Sequence, residues 1–175
     1  TRADGGLTTA HLNPNSIPDG DSEELTQEEA YQEDMAVFFP DPDALPLGFQ
    51  FGGAHRKQDQ NWHSLSIVFT HSYGYLYVQV MRFPAYASLP APDFQPGEVT
   101  FSALEAWGSY GDDALWDTST WQYDTFTIHY PQADGSTMVV TWDVKGVSPS
   151  DLAALINGTA VSLPEEDGLR AFPLE

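Results

Sequence analysis

The centre of the chain alternates between apolar and polar positions. Leu65, Ile67 and Phe69 are spaced two apart, with Ser64, Ser66 and Val68 between them. After the short link Thr70-His71-Ser72-Tyr73-Gly74, Leu76, Val78 and Val80 alternate with Tyr75, Tyr77 and Gln79. A period of two predicts two half-buried strands, and the link predicts a hairpin with Gly74 in its turn. A further strand is expected near residues 49–55. Residues 121–130 alternate again, with Phe126, Ile128 and Tyr130 set against Tyr123, Thr125, Thr127 and His129. Asp134-Gly135 marks the next turn, and Met138, Val140 and Trp142 continue the pattern beyond it. Between these pairs, residues 83–97 carry four prolines. Proline cannot donate to a ladder, so this stretch reads as an irregular excursion. Residues 99–107 regain strand character, and residues 109–120 read as a loop.

Two helices are predicted at the ends. Thr26-x-x-Glu29 is a capping box, with Leu25 and Ala30 placed as a hydrophobic staple. Tyr31, Met35 and Phe38 follow at helical spacing, so a helix is expected over 26–38, closed by Pro40 and Pro42. Its acids Glu28, Glu29, Glu33 and Asp34 read as a solvated face. Ser148-Pro149-Ser150-Asp151 starts the second helix, with Ser as cap, Pro at the first helical position and an acid three residues after the cap. Leu152, Leu155 and Ile156 form its stripe, and Asn157-Gly158 predicts a left-handed end. The fold class is therefore α+β: an antiparallel β-meander with an N-terminal and a C-terminal helix packed on it. Its aliphatic face would be Leu65, Ile67, Phe69, Leu76, Val78, Val80, Phe126, Ile128, Met138 and Val140. Residues 1–24 are polar and aperiodic and read as a leader or linker. Residues 25–163 form a single domain, and 164–175 an acidic tail.

Composition narrows the functions. Of 175 residues, 26 are Asp or Glu and 6 are Lys or Arg, a net charge of −20. Such a surface repels phosphate backbones, so no nucleic-acid partner is expected. Anionic lipid is disfavoured likewise. With no cysteine, disulfides, zinc–thiolate centres, iron–sulfur clusters and thiol catalysis drop out. The chain begins with Thr1 and holds no apolar run long enough to span a bilayer. It reads as an excised fragment, attached to a membrane only through a segment absent from it. Gly108-Ser109-Tyr110-Gly111 has the wrong spacing for a nucleophile elbow. His55, His63 and His71 stand eight apart without a ligand motif, and the acids Asp112, Asp113 and Asp117, like Asp19, Asp21 and Glu23, match no calcium loop. No enzyme, cofactor or metal is expected.

The last third carries a more specific pattern. A strand ending Val139-Val140-Thr141-Trp142 leads through Asp143-Val144-Lys145-Gly146-Val147 into the capped helix Ser148-Pro149-Ser150-Asp151-Leu152 and then Gly158-Thr159-Ala160-Val161-Ser162-Leu163. This resembles the C-terminal module of a family of extracytoplasmic domains of unknown function. These domains are carried by Gram-positive anti-sigma factors and related membrane-anchored proteins or lipoproteins. Leu45-Pro46-Leu47-Gly48-Phe49 is similar to the family's entry into its first strand, with Leu47 inserted, and the likeness runs over about 45–163. It implies no catalytic residues. It implies an extracytoplasmic, cell-surface-anchored sensory or interaction domain whose partner is a protein or a cell-wall component.

The candidate binding surface is aromatic. Tyr75, Tyr77, Trp121 and Tyr123 fall opposite the aliphatic face, where exposed rings would suit a partner protein or stack on a sugar. The alternative to a regulator domain is thus a secreted or lipoprotein module that contacts cell-wall glycan through these rings.

Overall fold

The computed structural model describes residues 21–58, 63–72, 74–107 and 125–159. Among the described residues, six strands form one open antiparallel sheet: β1 Asp21–Leu25, β2 Gln50–Gln58, β3 His63–His71, β4 Gly74–Phe83, β5 Phe126–Pro131 and β6 Thr137–Lys145. Three α-helices accompany it among these residues: α1 Gln27–Tyr31, α2 Phe101–Trp107 and α3 Pro149–Asn157. The class is α+β, as the pattern predicts.

The strand order is β1-β2-β3-β4-β6-β5, which corrects the expectation of a simple meander. The first four strands follow in sequence. The next two strands form a hairpin set the other way, so that β6 pairs with β4 and β5 takes the edge. Length and burial explain the swap. β6 has nine residues and can span β4, whereas β5 has six. Residues 142–144 of β6 are buried consecutively, so this end of the strand is enclosed on both faces, while Val139 and Thr141 stay half-buried. The free side of β5 is partly closed by a parallel bridge from Phe94 to Ile128.

Register puts the predicted aliphatic side chains in rows on one face: Ala54, Ile67, Val78, Trp142 and Phe126 form one row, and Leu65, Val80, Val140 and Ile128 the next. All ten residues of the predicted aliphatic face are at most 1% exposed. They belong to the same buried cluster as Phe38, Leu104, Leu152, Leu155 and Ile156.

Local chemistry accounts for the remaining departures. β1 lies within the span read as leader and pairs with β2 from Asp21↔Gln58 to Leu25↔Ala54, so order begins before residue 25. The capping box forms as predicted: Glu29 N–H donates to Thr26 Oγ1 (3.1 Å), and Thr26 N–H to Glu29 Oε1 (2.8 Å). The predicted helix over 26–38 nevertheless breaks after Tyr31. Glu33 is extended, and a 3-10 turn runs from Asp34 to Phe38. Met35, Ala36, Phe38 and Phe39 are all buried in and just after that turn. Residues 101–107, expected as a strand, are helical. Thr100 caps them through Ala103 N–H (3.1 Å), and Ala103, Leu104 and Trp107 face the core at helical spacing. α3 starts as predicted, with Asp151 N–H donating to Ser148 Oγ (3.1 Å). It ends at Gly158, but with φ −87° rather than in the left-handed region.

Candidate functional site

Two places on the sheet carry chemistry that the core does not explain. The first is the face opposite the aliphatic rows, where the candidate aromatic surface was expected. There Val68, Tyr77 and Asp143 share one row, and Thr70, Tyr75 and Lys145 the next. Tyr75 is half-buried, and its hydroxyl donates to Asp143 Oδ1 (3.0 Å). Tyr77 is only 7% exposed, which corrects its place on an exposed surface: its ring has no free face to offer. Burial pushes its phenol up to about 12, the Asp143 charge acts in the same direction, and a hydrogen bond with Ser66 opposes them. Trp121 and Tyr123 lie outside the described residues.

The sequence reading missed Asp143. It follows Trp142 at the stretch where β6 is buried on both faces, and it is 3% exposed. Consecutive apolar and charged residues in a central strand were the available signal. The same face carries half-buried Val68, Met81 and Val139 among Ser66, Gln79, Thr127 and Thr141. His129 lies at its β5 edge. Burial holds its imidazole below the ordinary value, with the Asp93 charge opposing. Asp93 is tied to that edge, accepting from Thr127 N–H at 2.9 Å.

The second place is a cleft of about 230 Å³ at one end of the sheet. Arg56 and Gln58 of β2, His63 of β3 and Arg82 of β4 line it from the sheet, and Glu33, Asp34 and Met35 from the turn that follows α1. The two arginines stand on the core-facing side of the sheet, where the aliphatic rows run out: Arg56 is opposite Leu65, and Arg82 opposite Met138. Carboxylates from three other elements meet them. Arg56 pairs with Glu23 of β1 and with Glu33 (2.8 Å). Arg82 Nη2 donates to Asp134 Oδ2 (2.6 Å) in the β5–β6 turn. Asp134 also accepts from the Ser136 hydroxyl and backbone, and these bonds, followed by Arg82, hold its carboxyl below the usual range. The break after Tyr31 builds this cleft, because extended Glu33 brings its carboxylate to Arg56.

The three histidines spaced eight apart do not converge. His63 and His71 stand at opposite ends of β3, about 27 Å apart at the usual rise per residue. His71 packs edge-on against Phe49 (4.2 Å between centroids). His55 is exposed on β2, opposite Ser66. Among the described residues, no three His, Asp or Glu side chains are grouped to hold a metal ion. The acids Asp112, Asp113 and Asp117 lie outside the described residues.

Comparison of the chain with protein-family models, with curated proteins and with solved structures gives no match.

Proposed function

We propose that this chain is a non-catalytic extracytoplasmic interaction domain, the sensory part of a membrane-anchored regulator of the anti-sigma-factor kind. In this reading the terminal helices close the aliphatic side of the sheet, and the opposite side meets a partner protein. One observation carries the proposal. On that face, Val68, Tyr75, Met81 and Val139 stay half-buried, with Ser66, Gln79 and Thr141 between them. Protein contacts favour this mixture of aromatic, methionine and aliphatic groups with hydrogen-bonding neighbours. Tyr75 is held in place by Asp143, so ordering its ring on binding loses little side-chain entropy.

The test is a Met81→Glu, Val139→Glu double variant of the full-length protein in its native host. The regulated transcriptional response should be lost while the melting temperature of the isolated domain stays close to that of the parent. A normal response in the variant overturns the contact surface. The regulator reading also expects the gene to encode a membrane helix and a cytoplasmic sigma-binding segment. A signal peptide with a lipobox cysteine would instead favour a lipoprotein module.

A further inference from the structure

The polar sheet face holds a group whose charge changes near neutral pH, and it stands in the same row as the proposed contact. Register carries that row across five strands: Lys57, Ser64, Met81, Val139 and His129. Val139 is the direct cross-strand neighbour of His129, and Met81 comes next. In an antiparallel pair, directly opposed residues have Cβ atoms about 4.5–5.5 Å apart. The imidazole is half-buried, so solvent still reaches it, and a partner seated on Met81 and Val139 covers it further.

Few charges face the ring among the described residues. Opposite it β6 presents Val139, flanked by Thr137 and Thr141, and its own strand presents Thr127 and Pro131, none of which titrates. The segment before α2 contributes one carboxylate, Asp93, fixed by Thr127 N–H (2.9 Å). Asp134, in the β5–β6 turn, is held by Arg82 on the core-facing side. Asp143 lies four residues along β6, buried and bonded to Tyr75. Glu24, His55, Lys57 and Lys145 share the face, but their backbones stand at least about 19 Å away, four strand spacings or six residues of strand. That is beyond the screening length of about 8 Å at physiological salt. Burial outweighs Asp93 and holds the imidazole below its ordinary value of 6.5.

We propose that binding through this face requires neutral His129 and is lost in acid. The regulation rests on the contact reading, since it states when the face is competent for the partner proposed above. The physical reason is desolvation. A partner that covers Met81 and Val139 takes water from the ring, which disfavours the imidazolium. The complex then holds the His129 proton less tightly than the free protein does. Affinity is therefore full above the imidazole pKa of the free protein and falls as the pH drops through it.

The test is photo-crosslinking of the full-length protein in envelope preparations of the native host, at about pH 7.5 and about pH 5.5, either side of the ordinary imidazole value. The photoreactive residue replaces Gln79, on the same face of β4 and one row from His129, so the surroundings of the ring are kept. A further lowering of one pKa unit in the complex is worth at most tenfold in affinity. The adduct yield should therefore fall at least about threefold in acid. His129→Gln, which keeps a polar side chain and takes no charge, should give nearly equal yields at both values. Melting curves at both values confirm folding, and His129→Asn replaces His129→Gln if that variant does not fold. A yield that is unchanged or higher in acid, or that falls equally in the variant, overturns the pH dependence and leaves the contact standing. No adduct at either value from either protein overturns the contact itself and the pH dependence with it.

Discussion

Gly74→Ala separates two physical arguments that predict opposite signs. Gly74 opens β4, and its backbone lies outside the left-handed region, so alanine is conformationally allowed there. On propensity alone the substitution should stabilise the protein by about 0.4–1 kcal/mol, because it reduces the freedom of the unfolded chain. The structure predicts the reverse. A Cβ at this position would sit 2.0 Å from the Lys145 carbonyl oxygen and 2.6 Å from its carbon. Carbon–oxygen contacts between neighbouring strands ordinarily lie at about 3.3–3.6 Å, so the strands must part by more than about 1 Å. The atoms in the way are backbone, and no side-chain rotation relieves them. This is the junction where Tyr75↔Lys145 begins the pairing of β4 with β6 at the centre of the sheet. Overpacking costs about 1–3 kcal/mol, and a clash with backbone that cannot rotate away lies at the upper end, which leaves a net loss of about 2 kcal/mol after the gain in the unfolded state. In urea, with a slope of about 2 kcal/mol per molar, the midpoint should fall by about 1 M. A midpoint equal to the parent's, or higher, would refute the close approach and with it the β4–β6 register.

Three other perturbations test different parts of the fold. Leu155 is 2% exposed in α3, so Leu155→Ala should lower stability by about 2–5 kcal/mol in the same urea assay, and a loss below about 0.5 kcal/mol would mean that α3 is peripheral. A chain starting at Gln27 loses β1 and buried Leu25, and should melt at a lower temperature than one starting at Asp21; equal melting would mean that β1 is peripheral to the folded unit. Tyr77 and Tyr130 both ionise at about 12 in the fold because burial disfavours the phenolate. A raised folded value means that stability holds below the unfolded value of about 10 and is lost as pH rises towards about 12; Tyr77→Phe should flatten that alkaline loss, and an unchanged profile would show that Tyr77 is not the buried group.

The parts of the fold that could be read from the sequence are those set by near neighbours. Alternation gave β3, β4 and β6 because every second side chain of each is buried on one side. The caps at Thr26 and Ser148 were legible because a cap is a bond between residues three apart. The rest depends on partners distant in sequence. The acidic β1 reads as linker because its strand character comes from pairing with β2. The helix over 101–107 was hidden because Val99, Phe101 and Ala103 also fit a period of two, and only Thr100, Leu104 and Trp107 show the helical one. The insertion of β6 between β4 and β5 leaves no local mark at all. At the candidate sites, alternation correctly placed Tyr75 and Tyr77 opposite the aliphatic face but could not tell half-buried from buried. The cleft was invisible, because it gathers Glu33, Arg56, Arg82 and Asp134 from four separate stretches of chain.

The most direct test of a contact function through the polar sheet face is site-specific photo-crosslinking in the native host. A photoreactive residue is placed at Val139, on that face of β6, and in a control protein at Asp43, exposed in the 3-10 turn before β2. The account predicts one discrete protein adduct from position 139, absent at position 43 and absent again when Met81→Glu is added. No adduct from position 139, or the same adducts from both positions, would contradict it.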